Sequence, residues 1–512
     1  IKGAHTIMIN VLSYLEQSAK SSGDKIAFAD IEQEVSFEKL EKTARQVGTA
    51  LAQKLPPRSP AVFYGEKSAF LMCGFLGAVY AGCFYVLIDP KHPVARVKAI
   101  LSTLGTSVVI CEEKYRAQVG LLGVEEEILV LEELAKTEEN PQKLAQIRTK
   151  SIDIDPLYAI FTSGSTGVPK GVVVSHRSTI DFIDNFTETF GITSEDVIAN
   201  QAPFDFDVSV KDIYSGLKTG ATVAIIPRSY FSFPTKLMDF LCEKKATTLI
   251  WAVSALCFVT TMNGLSYKTP KTLKKIMFSG EVMPIKHLNK WREALPNATY
   301  VNLYGPTEIT CNCMYYILDR EFTDSEVLPL GVNFANEKVF LLGENGEQVT
   351  ASGELGEICV SGTALSLGYF GDREKTDKVF VQNPLNKFYN EQIYCTGDLA
   401  RYGEDGNLYY VTRKDFQIKH MGHRIELGEI ETAINSVEGV NRACCVYLEK
   451  KQKILAFYDG QADKKEINAV IKTTLPAFML PNVFVKVDTL PMTKNGKIDR
   501  AKLKQDYLDM KG

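Results

Sequence analysis

The stretch Leu157-Tyr-Ala-Ile-Phe161-Thr162-Ser163-Gly164-Ser165-Thr166-Gly167-Val168-Pro169-Lys170-Gly171 decides how this chain is read. Leu157 to Phe161 is a short apolar run of strand type. It passes directly into a loop of glycine, serine and threonine. Such a loop presents backbone N–H groups and hydroxyls to an anion. Its glycines let the backbone come close, and Lys170 adds a positive charge. The spacing is not that of a Walker loop, because Lys170 is neither preceded by glycine nor followed by Ser or Thr. A flexible surface turn is the rival reading. Ten residues of this kind after a strand favour phosphate binding.

Outward from that loop, strand-like apolar runs alternate with helical patterns. Pro60 to Tyr64, Tyr85 to Ile88, Ser107 to Cys111, Val172 to Val174, Thr222 to Ile226, Thr248 to Trp251 and Lys275 to Phe278 read as strands. Phe37 to Lys54, Thr235 to Lys244 and Ile285 to Ala294 read as helices. Such alternation predicts parallel sheets covered by helices. After Val327, short strands and glycine turns crowd together, which predicts a β-rich subdomain. A further boundary is expected near Arg413 to Phe416. Beyond it, Glu429 to Ser436 and Lys465 to Thr474 read as helices, and Arg442 to Leu448 and Lys453 to Tyr458 as strands. The expected division is 7–414 and 415–512.

With 512 residues, 45% of them hydrophobic and 23% charged, the composition is that of a globular protein of more than one domain. A net charge of −4 invites neither nucleic acid nor an anionic membrane. The apolar stretch Phe70 to Leu87 is broken by glycines and reads as a buried helix followed by a strand, not a membrane span. Eleven cysteines form no C-x-x-C pair. They read as reduced thiols of a cytoplasmic protein. Ile1 to Thr6 reads as a remnant outside the fold, and no signal-peptide pattern opens the chain.

Seven more segments accompany the loop: Ala81-Gly-Cys-Phe-Tyr-Val-Leu-Ile-Asp89-Pro90, Phe206-Asp-Val-Ser209, Asn302-Leu-Tyr-Gly-Pro-Thr-Glu308, Tyr394-Cys-Thr-Gly-Asp398, Arg413-Lys-Asp-Phe-Gln-Ile-Lys-His-Met-Gly-His-Arg-Ile-Glu-Leu-Gly-Glu429, Leu475-Pro-Ala-Phe-Met-Leu-Pro481 and Asn495-Gly-Lys497-Ile-Asp499-Arg500. Together they resemble the adenylate-forming superfamily of acyl-CoA synthetases, luciferases and nonribosomal peptide synthetase adenylation domains. The segment Asn200 to Tyr214 is most similar to D-alanine–carrier protein ligases. The resemblance implies an α/β multidomain fold with a large N-terminal region and a small mobile α+β C-terminal domain. It also implies ATP and Mg²⁺, an α-amino acid substrate and a phosphopantetheinylated carrier protein as partner.

The resemblance assigns roles residue by residue. Asp398 would accept both ribose hydroxyls, as suits an acceptor-only carboxylate. Tyr304 would stack on adenine, with Asn302 beside the base and Leu303, Gly305 and Tyr410 in the same ATP-binding set. Thr162, Ser163, Gly164, Ser165, Thr166, Gly167 and Lys170 form the phosphate loop. Thr307 faces the α-phosphate, Glu308 holds Mg²⁺, and Arg413 steadies ribose and phosphate. Lys497 reaches substrate carboxylate and α-phosphate, where charge develops. Asp415 is the hinge.

Asp207 discriminates between branches of the superfamily. The resemblance pairs it with the substrate α-ammonium, which argues against a fatty-acyl or aryl-acid ligase. A helix cap is its rival reading. Val208, Lys211, Trp251, Met277, Ser279, Leu303, Cys311, Asn312 and Lys497 complete the amino-acid pocket. Bulky Trp251, Met277 and Leu303 predict a small substrate such as alanine, serine or cysteine. Lys211 either pairs with an acidic side chain or runs its stem along the wall with the amine in water; the second is the expectation. Thr412 stands where the family has glycine, and Leu87 where it commonly has proline.

Overall fold

The computed structural model describes residues 8–106, 108–123, 127–164, 168–492 and 498–511. It divides into two compact units. One comprises Ile1–Asp89, Thr106–Ile160 and Val172–Lys414; the other comprises Pro90–Gly105, Phe161–Gly171 and Asp415–Gly512.

The first unit is built on three sheets. In the seven-stranded sheet, Pro60–Tyr64 lies between Phe84–Ile88 and Val108–Cys111, all parallel. Pro156–Thr162 joins beside Phe84–Ile88. The apolar stretch Phe70 to Leu87 is the buried helix Ala69–Tyr80 followed by the strand Phe84–Ile88, as expected. No described helix is long and apolar enough to cross a membrane.

The nine-stranded sheet has a parallel centre formed by Val197–Asn200, Thr248–Ala252, Lys275–Ser279 and Thr299–Tyr304. Both of its faces are covered, so successive residues enter different cores. Ile250, Met277, Val301 and Leu303 enter one core together with Val210, Ile213 and Leu217 of the helix Val208–Thr219. Leu249, Trp251, Ile276, Phe278 and Tyr300 enter the other. The third sheet is antiparallel and contains Leu355–Gly362, Gln392–Tyr402 and Leu408–Arg413. It forms the β-rich part expected after Val327.

In the second unit, Val440–Leu448, Lys453–Gly460 and Val483–Lys486 make a three-stranded sheet. Helices Leu427–Asn435 and Lys464–Ile471 bury Ile430, Ile434, Ile467 and Ile471 with it. Asp463 and Glu466 close a reciprocal capping box at the start of the second helix. The segments 90–105 and 161–171 group with this unit, which the order of the chain did not suggest. Their ties are specific: Arg96 Nη1 bonds Glu429 Oε1 at 3.0 Å, and Ser163 Oγ donates to the Arg424 carbonyl at 2.7 Å.

Candidate active site

The antiparallel pairing of Gln392–Tyr402 with Leu408–Arg413 sets Asp398 directly opposite Arg413. Arg413 Nη1 donates to Asp398 Oδ1 at 2.6 Å. The Tyr304 hydroxyl, from the end of Thr299–Tyr304, donates to Asp398 Oδ2 at 2.6 Å. Burial and the Asp398 charge push the Tyr304 hydroxyl pKa well up, so it remains a donor. An ionised carboxylate has about four lone-pair sites. These two bonds occupy one on each oxygen and leave one on each, which fits two ribose hydroxyls. Asn302 donates its side-chain amide to the Pro329 carbonyl at 2.8 Å. Tyr410 is half-buried and packs beside the Tyr304 cluster. Thr412 pairs opposite Leu399, and the register shifts directly beside it, where Ala400 pairs with Tyr410.

After Tyr304 the chain makes a tight return. A Cβ on Gly305 would lie 2.5 Å from the Asn312 Cα and 2.7 Å from the Cys311 carbonyl oxygen, so only glycine permits the approach. The Cys313 N–H closes the loop on the Tyr304 carbonyl at 2.9 Å. Thr310 and Cys311 both have left-handed backbone, with φ 53° and 77°. Thr310 Oγ1 donates to the Ala364 carbonyl at 2.8 Å, which helps hold this turn. Thr307 and Glu308 sit on it, and Glu308 is fully buried. Glu308 Oε1 accepts the Tyr369 hydroxyl at 2.7 Å. A fixed, oxygen-only carboxylate fits a hard cation such as Mg²⁺. Tyr369 carried no signal in the sequence, since Gly368–Tyr369 pairs as a two-residue strand far along the chain.

The same turn brings Cys311 and Asn312 to the helix Val208–Thr219. Cys311 Sγ donates to the Asp207 carbonyl at 3.0 Å, and Lys211 Nζ donates to Asn312 Oδ1 at 2.6 Å. Asp207 occupies the position before the helix but makes no capping bond to it. Asp207 and Val208 are half-buried. Met277 and Leu303 enter the core face that holds Cys311, and strand alternation places Ser279 on the Met277 face.

Two expectations about this pocket are corrected. Lys211 does not carry its amine to water: the residue is 0% exposed, and burial lowers its pKa. Trp251 does not share a wall with Met277. It pairs with Phe278 across the strands, enters the opposite core against Phe231, and donates Nε1 to the Ala199 carbonyl at 2.8 Å. The even strand period puts neighbouring positions on opposite faces, so Trp251 lies on the face opposite Met277, whereas the resemblance places both in one pocket.

In the second unit, Gly164 tolerates no side chain: a Cβ there would lie 2.1 Å from the Val168 carbonyl oxygen. Its N–H donates to Glu429 Oε2 at 3.2 Å, and Ser163 Oγ accepts the Glu426 N–H at 3.2 Å. The half-buried Thr162 has a buried hydroxyl with no partner among the described residues. Lys170 opens the strand Lys170–Ser175. Burial pushes the Glu429 carboxyl up to about 7, opposed by Arg96. Asp415 is exposed, and its Oδ1 accepts the Gln417 N–H at 3.1 Å. Ser165, Thr166, Gly167 and Lys497 lie outside the described residues.

The profile of the AMP-binding enzyme family matches residues 15–370, and that of the AMP-binding enzyme C-terminal domain matches residues 429–497. The chain therefore belongs to the AMP-binding enzyme family, the adenylate-forming enzymes. It is 31% identical over 502 residues to zwittermicin A synthase ZmaJ of Bacillus cereus, covering 95% of this chain and 93% of that protein. It is 32% identical over 494 residues to bacitracin synthase 1 of Bacillus licheniformis, covering 95% of this chain but only 9% of that protein. The solved structure of IdnL1 superposes with a TM-score of 0.80 at 26% identity, covering 95% of this chain and 100% of that one. The structure of holo-PA1221, an NRPS protein containing adenylation and PCP domains, superposes with a TM-score of 0.82 at 22% identity, covering 97% and 84%. None of the eleven cysteines, all of them among the described residues, forms a disulfide.

Proposed function

We propose that this chain activates an α-amino acid as its aminoacyl-adenylate and transfers the aminoacyl group to the phosphopantetheine thiol of a carrier protein. In the first step a substrate carboxylate oxygen attacks the α-phosphorus of ATP and pyrophosphate leaves. In the second the carrier thiol attacks the acyl carbon, loses its proton, and AMP leaves. Asp398, steadied by Tyr304 and Arg413, receives the ribose. Glu308 would hold Mg²⁺, whose charge screens the phosphates when it is bound. Lys497 meets the charge that develops between carboxylate and α-phosphate. Orientation and electrostatics do the work, and no covalent nucleophile of the enzyme is needed. The synthases among the relatives support this reading, as do the adenylation and PCP domains that the holo-PA1221 protein contains.

The observation that carries it is Asp207. It stands before the helix Val208–Thr219 without capping it, beside Cys311. That favours a substrate ammonium over a structural cap. Asp207→Ala tests this with the best amino acid and its des-amino analogue, compared by kcat/KM in pyrophosphate exchange. The amino acid is expected to lose several hundred- to several thousand-fold, corresponding to roughly 3–5 kcal/mol for breaking a buried pair, and the analogue little. Equal losses for both compounds would return Asp207 to a structural role.

A further inference from the structure

Beside the Cys311–Asn312 turn lie two buried donors, the Lys211 amine and the Tyr158 hydroxyl. Lys211 lies four residues after Asp207 and is fully buried. Among the described residues its ammonium has one acceptor, Asn312 Oδ1 at 2.6 Å. An ammonium carries three N–H bonds, so two remain without an acceptor among the described residues. The Tyr158 hydroxyl is likewise fully buried, and among the described residues it faces the Cys311 sulfur and has no oxygen or nitrogen partner. The Cys311 thiol lies next to it but donates to the Asp207 carbonyl instead. Tyr158 and Lys211 both lie within electrostatic reach of Cys311 and Asp207.

Asp207 and Asp212 are the negative groups near Lys211, and the buried Asp212 Oδ1 has no hydrogen-bond partner among the described residues. Asp212 Oδ2 accepts the Asn200 side-chain amide at 2.7 Å, and Asp207 is the group assigned to the substrate ammonium. Neither supplies a hydrogen bond to the Lys211 ammonium. A buried donor without an acceptor is costly, and the cost is relieved when a ligand brings the acceptor. Residues four apart share one helix face, about 6 Å apart along the axis. An amino acid with its ammonium at Asp207 therefore runs its side chain along that face towards Lys211. Met277 and Leu303, on the core face shared with Cys311, suit the methylene groups between. Trp251 lies on the opposite face and does not shorten this path.

Resting on the amino-acid reading above, we propose that the side-chain subsite takes an amino acid whose side chain ends in a carboxylate or carboxamide oxygen. Lys211 Nζ and the Tyr158 hydroxyl receive that oxygen.

The test is pyrophosphate exchange by the wild-type protein with aspartate, glutamate, asparagine and glutamine against alanine, valine, leucine and methionine, both enantiomers of each. The acids and amides are expected to lead, and the comparison of acid with amide tells which oxygen is used. In Lys211→Met the ratio of kcat/KM for the best acid or amide over methionine should fall roughly 10- to 100-fold. In Tyr158→Phe the same ratio should fall by a smaller factor. Exchange led by alanine, valine or leucine in the wild type overturns the proposal and leaves amino-acid activation standing, and that arm decides even if Lys211→Met does not fold. Exchange with aryl or fatty acids, and with no amino acid, overturns both.

Discussion

The Tyr304 hydroxyl donates to Asp398 Oδ2 across 94 positions of sequence, and the two side chains meet at 2.6 Å. Arg413 takes the other oxygen from the facing strand. The carboxylate is thereby fixed in place, which would lower the ordering cost of binding the proposed ribose. For Asp398→Ala the expected outcome is weaker binding of a non-hydrolysable ATP analogue by roughly 1–3 kcal/mol. The thermal midpoint should fall as well, because the nearly buried Arg413 loses this ion pair. An unchanged dissociation constant in folded protein places the ribose elsewhere.

Gly305→Ala adds one methyl where 2.5 Å separates its position from the Asn312 Cα. The backbone of the Cys311–Asn312 turn must move, and Lys211 moves with its acceptor. We expect destabilisation of about 1–3 kcal/mol, with exchange reduced beyond what the loss of folded protein explains. Thermal melts paired with exchange assays well below the melting point separate the two effects. Full specific activity in the folded variant would contradict the role given to this turn.

Glu337 makes a pH prediction. Burial pushes its carboxyl up to about 8, while Oε1 accepts the Ala364 N–H at 2.8 Å. The folded state therefore keeps a proton that the unfolded state releases above its ordinary value of 4.5. The unfolded state binds fewer protons across this window, so this group's contribution falls as pH rises from about 4.5 to about 8. Glu337→Gln mimics the protonated form. Its stability relative to wild type should grow between about pH 5 and 8, by no more than about 3 kcal/mol. Parallel denaturant titrations check this, and a constant gap across the range counts against a buried protonated Glu337.

Lys497→Ala is expected to nearly abolish pyrophosphate exchange while stability stays within about 0.5 kcal/mol of wild type, read from the thermal midpoint. Near-normal exchange by the folded variant removes Lys497 from the chemistry.

Asp415→Pro restricts φ at the proposed hinge. If the chain turns about Asp415 between the two half-reactions, as proposed, thioester formation on a carrier protein should suffer far more than adenylation. Measuring each half-reaction alone decides it; equal losses in both remove the hinge from this position.

Much of the architecture was legible in the sequence because it is written in local patterns. The run Pro60–Tyr64 is a strand of the same bounds in the structure, and the helix expected over Ile285 to Ala294 is Ile285–Ala294. Short apolar runs between amphipathic segments specify parallel strands under helices, whatever their distant partners. The motifs also marked residues whose chemistry is intrinsic: an acceptor-only carboxylate at Asp398, the glycine Gly305 and a carboxylate at Glu308.

Which face a side chain takes, and what it meets there, came only from the tertiary structure. Trp251 and Met277 belong to neighbouring strands, and register alone decides that one enters each core. Lys211 read as a snorkelling lysine because a single sequence gives its type and its helix but not the solvent boundary. That boundary is set by the return of the chain at Gly305, which carries Asn312 to the Lys211 amine. Tyr158 and Tyr369 were silent for the same reason. A tyrosine in a strand looks like core until the partner of its hydroxyl is known. For Tyr369 that partner lies 61 residues away, and for Tyr158 there is none among the described residues. Local sequence determined the elements and the reactive groups. Long-range packing decided burial, and burial decides which hydrogen bonds a group has left to offer.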